Sequence, residues 1–134
     1  MDIASLTTLA ALAVTAAGTL TGTPITDWEG VAGLSGHIRF AGTGGLTVDA
    51  YLQTLVDGDA TWADLYCAHF TGAGVSLFSL AQGAGANLSL TDGALAANTA
   101  LNSGIVPLFD QYRLKVVSTG TWVNGLVSAY IMPR

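Results

Sequence analysis

Four aspartates crowd the stretch Leu46–Phe70, and they are the residues best placed to do chemistry. Two facing carboxylates can act as acid and base in glycoside hydrolysis, and grouped carboxylate oxygens can hold a hard cation such as Ca²⁺. The sequence has neither EF-hand spacing nor a second carboxylate cluster. Two of the four flank Gly58, a pattern typical of side chain-to-backbone bonds in a tight turn. The four aspartates are Asp49, Asp57, Asp59 and Asp64, and turn bonding is the favoured interpretation of Asp57 and Asp59.

The other reactive side chains do not form a catalytic or metal-binding pattern. His37 and His69 lie on different predicted strands without a carboxylate at a ligand spacing, and Cys67 is the only cysteine. A lone cysteine in an apolar strand is typically a small buried side chain. The sequence also lacks a Gly-x-Ser-x-Gly elbow and a phosphate-binding loop. We therefore expect no enzymatic activity, no cofactor and no metal.

The stretch Leu46–Phe70 itself predicts a β-hairpin. Apolar and polar residues alternate in both halves, and the segment 57–61 between them carries Gly and Asp. In the first strand one face is apolar and is expected to be dry; it consists of Leu46, Val48, Ala50, Leu52 and Val56. In the returning strand, period-two alternation places Asp64 on the face of Trp62, Tyr66 and Phe70, and Cys67 with Leu65 and His69 on the other face. Both faces of this strand are expected to be at least partly covered.

Short alternating stretches with turn signals continue along the chain and indicate about seven or eight strands. We predict an all-β fold, an antiparallel β-sandwich of jelly-roll or immunoglobulin-like type, over residues 27–134. Residues 1–26, rich in Ala and Thr, are predicted to form an extended N-terminal arm. The segment Thr91–Ile105 is compatible with one helical turn or a surface loop. The further predicted strands are Gly36–Phe40, Val75–Leu80 and Asn87–Leu90, with a second hairpin of Gln111–Ser118 and Thr121–Met132.

The amino-acid composition favours a protein that functions as part of a larger assembly. Of 134 residues, 51% are hydrophobic and only 10% are charged, against about 25% charged in ordinary domains. A monomer of this mass would expose about 6,500 Å², so we expect part of that surface to be buried against partners. The net charge of −5 argues against nucleic-acid binding. Met1–Ala17 lacks Lys and Arg, and its apolar runs are short, so we expect neither an export signal nor a membrane span.

Two motifs lie in the predicted β-sandwich. They are Tyr51–Leu65 (YLQTLVDGDATWADL) and Pro107–Gly120 (PLFDQYRLKVVSTG), the second followed by a final strand that ends in Pro133-Arg134. Together they resemble small β-sandwich virion proteins of tailed bacteriophages. The resemblance covers roughly the last 85 residues. It implies a virion protein made in the host cytoplasm and placed on the capsid surface, as a decoration (cement) protein, with a head-fibre or neck/tail component as the alternative. It also implies a symmetric homotrimer bound to the major capsid protein.

The expected interface follows from this resemblance and from the apolar arm. Arg113 and Lys115 are expected either to pair with acidic capsid groups or to pair within the subunit, with Asp110 or Asp49. A receptor- or carbohydrate-binding sandwich is the second hypothesis, because exposed aromatic rings can stack on sugars; its candidates are Trp28, Trp62, Trp122 and four tyrosines. The predicted interface residues are Leu6, Leu9, Leu12, Val14, Trp28, Trp122, Arg113 and Lys115.

Overall fold

The computed structural model describes residues 6–56, 60–83 and 92–134 and confirms the all-β sandwich. One 3₁₀ turn, Leu101–Gly104, interrupts the strands. Two expectations lie wholly or partly outside the described residues: the strand 87–90 and the turn 57–61, of which 57–59 are not described. The ten strands of the described residues are β1 (Thr7–Val14), β2 (Gly18–Thr21), β3 (Gly33–Thr43), β4 (Thr47–Leu55), β5 (Trp62–Phe70), β6 (Gly74–Gln82), β7 (Thr99–Ala100), β8 (Ile105–Val106), β9 (Tyr112–Thr119) and β10 (Val123–Pro133).

The strands form two five-stranded sheets. Sheet 1 has the order β1-β10-β3-β6-β8 and sheet 2 the order β2-β9-β4-β5-β7. Apart from the short parallel pair β6–β8, neighbours run antiparallel. The eight longer strands pair first with last, second with second-to-last, and so on inward to the β4–β5 hairpin. This nested pairing is the jelly-roll arrangement, so the jelly roll is the one of the two predicted sandwich types that forms.

Alternation of apolar and polar residues places one face of each sheet in the core. Along β9 the residues Tyr112, Leu114 and Val116 are fully buried, while Arg113 and Lys115 between them point to the other face. Phe40, Leu34 and Ile38 fill the same core from β3. Each such side chain contributes about 1.5–3 kcal/mol through burial, so the layer between the sheets is the main source of stability.

The predicted hairpin forms as β4 and β5, but a bulge changes the faces of its second strand. The register shifts between Leu52, which lies opposite Tyr66, and Gln53, which lies opposite Asp64. Leu65 is the extra residue, and it packs into the core beside Tyr66. Asp64 therefore lies on the outer face with Cys67, and the prediction that it shares a face with Tyr66 and Phe70 is wrong.

The second predicted hairpin does not form, although both of its strands do. β9 pairs with β2 and β4 in sheet 2, whereas β10 pairs with β1 and β3 in sheet 1. The chain crosses between the sheets after Gly120, whose φ is 80°. Trp122 follows at once and packs edge-on against Phe40 between the layers. Burying this large ring in the core favours the crossing over a flat hairpin.

The N-terminal segment is extended as predicted, but it belongs to the sheets of its own chain. β1 pairs with β10 at one edge of sheet 1, and β2 pairs with β9 at one edge of sheet 2. Pairing within the chain satisfies the backbone of the segment and lets Leu9 and Val14 enter the core. Residues 7–21 are thus edge strands, which differs from an arm that reaches away from its own domain.

The described part of Thr91–Ile105 contains no α-helix. Beyond Asp92 it carries β7, the 3₁₀ turn and the start of β8. Among the described residues, no helix has the length and apolar character that crossing a bilayer requires.

Candidate interaction surfaces

The outer face of sheet 2 is covered by residues 92–100, here called the strap. The backbone N–H groups of Gly93, Ala94 and Leu95 donate to the carboxylate of Asp64, at 2.9, 2.8 and 3.0 Å. Gln53 Nε2 donates to the same carboxylate at 2.8 Å. Asp64 is only 3% exposed, and a buried carboxylate is stable only when it is so satisfied. The strap is therefore fixed to the sheet through Asp64.

A second carboxylate, Asp92, collects the basic residues of the same face. Its Oδ1 accepts from Lys115 Nζ and from Gln53 Nε2, both at 2.7 Å, and its Oδ2 accepts from Arg113 at 3.3 Å. Burial alone would raise the pKa of Asp92, but the hydrogen bonds from Lys115 and Gln53 and the charges of Lys115 and Arg113 outweigh it and lower that pKa. The strap thus begins with an ionised side chain tied to β9.

Of the two expectations for Arg113 and Lys115, the structure shows pairing within the subunit. Both pair within the chain, with Asp92, and the partners considered from the sequence, Asp110 and Asp49, do not pair with them. Arg113 Nε also donates to Gln53 Oε1 at 2.8 Å, and its guanidinium lies 4.3 Å from the ring centre of Trp62. These contacts leave both cations largely covered and occupied inside the subunit.

Two titratable side chains beneath the strap, Tyr51 and Cys67, have raised pKa values and stay protonated at neutral pH. Burial, with help from Asp49, raises the pKa of the Cys67 thiol to about 12, and burial raises the pKa of Tyr51 to about 12. A thiol with so high a pKa is a poor nucleophile at neutral pH, which agrees with the expectation of a small buried side chain.

An Asp–His pair lies at the border of this face. His69 Nδ1 is 2.6 Å from Asp49 Oδ1, and Asn98 Oδ1 accepts from the backbone N–H of His69. Such a pair is the orienting half of a hydrolase triad, yet in the described ranges no Ser, Thr or Cys side chain hydrogen-bonds to this imidazole. His37 lies on sheet 1, with its ring 4.9 Å from that of Tyr130. The described residues also hold no group of three or more potential metal ligands.

The two ends of the sandwich differ in charge. Asp27, Glu29 and Asp110 lie at one end, where Glu29 and Asp110 line a cavity of about 310 Å³ together with Gly30, Leu108 and Phe109. The other end is built from four turns without a charged residue, here called the uncharged tip: residues 15–17, 44–46, 71–73 and 120–122.

Backbone and hydroxyl hydrogen bonds hold the turns of the uncharged tip together. Trp122 N donates to Thr15 O at 2.9 Å, Leu46 N donates to Thr119 O at 3.1 Å, and the hydroxyls of Thr47 and Thr119 are 2.6 Å apart. Two large apolar side chains protrude at this end, Leu46 at 66% and Val123 at 58% exposure. A fixed, uncharged surface with protruding aliphatic groups suits a dry contact with another protein.

Glycine permits the close packing that supports the uncharged tip. A Cβ on Gly45 would stand only 2.1 Å from the Trp122 ring, so no larger residue fits there without displacing that ring. Gly45 and Trp122 therefore act together, one as the turn and the other as its buried support.

The predicted interface residues separate into three groups in the structure. Leu9, Val14 and Trp122 are buried in the chain's own core at 5%, 0% and 4% exposure, which leaves them no surface for a partner. Leu12 and Trp28 are half-buried against that core, and Leu6 is exposed at 52%. Leu46 was predicted to lie on the dry face of its strand, but it stands in the turn before β4 and is exposed. Alternation does not reveal which part of a face is left open, so none of the other large apolar side chains exposed among the described residues was predicted to form an interface, apart from Leu6. They are Leu20, Val75, Leu77, Ile105, Val123 and Leu126.

The tryptophans are engaged by their own chain. Trp28 packs at 6.1 Å from the Tyr112 ring, Trp62 lies under Arg113, and Trp122 is buried. This arrangement leaves little free ring face for a sugar to stack on.

Comparison with known proteins finds no match to a protein-family model, to a curated protein or to a solved structure. The functional argument therefore depends on the residues of this chain and on their geometry.

Proposed function

We propose that this chain is a structural virion protein without catalytic activity, a capsid decoration (cement) protein that stabilises the head of a tailed bacteriophage. In this role it binds the major capsid protein from the outside of the shell as a homotrimer. The observation that carries the proposal is the uncharged tip with its protruding Leu46 and Val123, because such a surface is suited to a lasting apolar contact.

The fold and the sequence give two further lines of support. Jelly rolls form many viral capsid domains, although they also form lectin domains and cupins, so the fold supports the proposal by analogy only. The stretches Tyr51–Leu65 and Pro107–Gly120 resemble virion proteins, and they map onto the β4–β5 hairpin and onto β9.

The distribution of charge supports an assembly. The chain exposes 6350 Å², and two of its four basic side chains are occupied beneath the strap by Asp92. Ordinary soluble domains contain about 25% charged residues. With 10% charged residues in total, this chain gains from covering its apolar surface with partners.

Binding to heads that lack the protein tests the proposal. Leu46→Asp and Val123→Asp each place a charge on the uncharged tip, and we expect each to weaken binding at least roughly tenfold in cosedimentation, since a central apolar contact is worth about 2 kcal/mol or more. Ile105→Asp is the matched control, because Ile105 is 53% exposed but lies near the opposite end of β6.

The outcomes separate the alternatives. Equal binding by all three variants would reject the tip as the docking surface, and no binding by the unmodified chain would reject the decoration role. Specific hits on a glycan array in place of head binding would favour the carbohydrate-binding hypothesis.

A further inference from the structure

The edge of sheet 1 formed by β6 is open over most of its length. β6 pairs with β3 along Gly74–Ala81, but β8 covers its other edge only at Ala81 and Gln82. Gly104 approaches Ser79 O, and Arg134 bonds to Leu80 O. In the part of the chain that the structure describes, Gly74–Phe78 therefore has unpaired backbone groups on one side, which makes it a template for another strand.

The opposite edge of sheet 1 is open as well. β1 pairs with β10 on one side only, and no described residue adds a strand to its other side. A bulge at Leu9 interrupts the register, so the regular part of this edge is Ala10–Val14. Both open stretches are thus five residues long and span about 16 Å.

The two open edges carry few of the features that normally prevent strand pairing. Natural edge strands are blunted by charged residues, by proline, by bulges or by short length. β6 contains no charged residue, no proline and no bulge, and β1 has only the bulge at Leu9. In sheet 2, by contrast, β2 has only four residues, and β7, the last part of the strap, lies beside β5.

The side chains at the two edges complement each other in size. On the outer face, β6 presents Leu77 at 76% and Val75 at 47% exposure, while β1 presents the small exposed residues Ala11 and Ala13. If the two five-residue stretches pair along their whole length, Leu77 of one copy lies opposite Ala11 of the next, and Val75 opposite Ala13. Large side chains then pack over small ones.

Strand direction favours a closed ring of copies. β1, β10, β3 and β6 alternate in direction, so β6 runs opposite to β1. Copies rotated about an axis roughly parallel to the strands therefore bring β6 of one copy antiparallel to β1 of the next. A head-to-tail contact of this kind closes into a ring and uses both open edges, whereas pairing of β6 with itself would leave β1 uncovered.

We infer that copies of this chain associate by strand pairing between Gly74–Phe78 of one copy and Ala10–Val14 of the next, and that three such contacts close the homotrimer. The number three rests on the proposed function, while the edge contact does not. The occupant of the β6 edge is a second copy of this chain, and β1 stays paired with its own β10 while its free side meets the neighbour.

Disulfide trapping on the purified full chain tests this contact. Opposed residues of antiparallel strands have the Cα separation that a disulfide needs. Ala11→Cys combined with Leu77→Cys should give covalent trimers under mild oxidation, because each copy then links to both neighbours. Ala11→Cys combined with Val75→Cys tests a register shifted by two residues, which keeps the same faces. Cys67 is buried and stays in place.

The single variants are the decisive controls. Leu77→Cys or Ala11→Cys alone should remain monomeric on a non-reducing gel. In the proposed contact neither residue lies opposite the same residue of a neighbouring chain, so two introduced cysteines do not meet. Covalent dimers from Leu77→Cys alone would overturn the inference in favour of β6 pairing with itself. Ladders longer than a trimer would overturn ring closure, and the absence of cross-links from both double variants would overturn the edge contact.

A charge on the edge gives an independent measurement. Leu77→Lys should convert a particle of three times the 13.6 kDa chain mass into a monomer by light scattering. Leu20→Lys is the matched control, because Leu20 is an exposed leucine on the edge strand of sheet 2; it should leave the trimer intact. A trimer that persists with Leu77→Lys contradicts the inference. Rings that form but do not bind heads leave the edge contact standing and reject the proposed function.

Discussion

The outer faces of the two sheets differ in coverage: a segment of the chain covers that of sheet 2, whereas the described residues leave that of sheet 1 uncovered. On sheet 2 the strap covers Tyr51, Gln53 and Cys67. The Asp64 carboxylate accepts hydrogen bonds from the strap backbone and from Gln53, and the Asp92 carboxylate pairs with Lys115. On sheet 1 no described segment lies over the strands, and Leu77 and Leu126 are exposed. The chain has few charged residues, and several of them hold the strap on the outer face of sheet 2. The other face is left to whatever the protein binds.

This contrast explains why low charge content alone is an incomplete description of the surface. Arg113 and Lys115 carry half of the basic charge of the chain, yet both are occupied by Asp92. Arg39 is the one charged residue within the strands of sheet 1 and is exposed, and the exposed Arg134 follows β10. The effective surface charge of sheet 1 is therefore lower than the sequence average suggests.

The largest expected effect comes from removing the anchor of the strap. Asp64→Ala leaves three strap N–H groups and Gln53 without their acceptor, and we expect the free energy of unfolding to fall by about 3 kcal/mol or more, since each buried unsatisfied group costs about 1–3 kcal/mol. Urea denaturation followed by circular dichroism measures this loss. Glu29→Ala, which removes an exposed carboxylate, should change stability by less than about 0.5 kcal/mol. Equal losses in the two variants would contradict the role of Asp64.

The two arginines on opposite faces make a matched pair. Arg113→Ala removes the contact with Trp62, the bond to Gln53 and one partner of Asp92, and should cost about 2 kcal/mol. Arg39→Ala removes an exposed side chain from sheet 1 and should cost less than about 0.5 kcal/mol. The same denaturation experiment compares them, and similar values would mean that the two faces are energetically alike.

Acid should loosen the strap by a smaller amount. The folded chain lowers the pKa of Asp92, so its contribution to stability is present above the ordinary carboxylate pKa of about 4 and is lost as the pH falls through the folded value. Lys115, Arg113, Gln53 and nearby Asp64 face this group. The labelling rate of Cys67 by a disulfide reagent active in acid should rise by a factor of about two to five relative to neutral pH, as expected for a partly exposed ion pair.

The Asp92→Asn variant isolates this effect from other carboxylates. It should label at the same faster rate, after correction for the reagent, at both pH values. A variant that still shows the full pH dependence would assign the acid response to Asp49 or Asp64.

The smallest effect on the free energy of unfolding is expected on the outer face of sheet 1. Leu126 is 43% exposed on sheet 1, so Leu126→Ser should lower the unfolding free energy of the dissociated chain by less than about 0.5 kcal/mol. The measurement is made by denaturation at low protein concentration. A loss above about 1 kcal/mol would show that this face is packed within the single chain and would remove the contrast between the sheets.

Local sequence signals located the strands better than they located the partners of each strand. Alternation around Val48, Ala50 and Leu52 was enough to predict the β4–β5 hairpin. The bulge at Leu65 left no such signal, because an extra residue is recognised only against the opposite strand. The turn after Thr119 looked like a hairpin turn, but the chain crosses to the other sheet there because the Trp122 ring is buried between the layers.

The candidate site was predicted in part. Arg113 and Lys115 were predicted from the sequence to form ion pairs, but their partner Asp92 was not. Asp92 lies 21 and 23 residues away in sequence, and its neighbours suggested the start of a helical turn. Leu9 and Val14 were predicted to form an interface because they are apolar, and the fold places them in the core instead. Apolar character predicts that a residue will be covered, without specifying whether its own chain or a partner covers it.

The sequence by itself determined the all-β character and the scarcity of charge, because period-two alternation and composition are local properties that survive any arrangement of the strands. The tertiary structure was needed to show that the strands nest as a jelly roll, that the strap covers sheet 2 and that no strand of the described residues pairs with the free side of β1 or of Gly74–Phe78. These features depend on contacts between residues far apart in the chain, where many pairings satisfy the same local pattern and packing selects one of them.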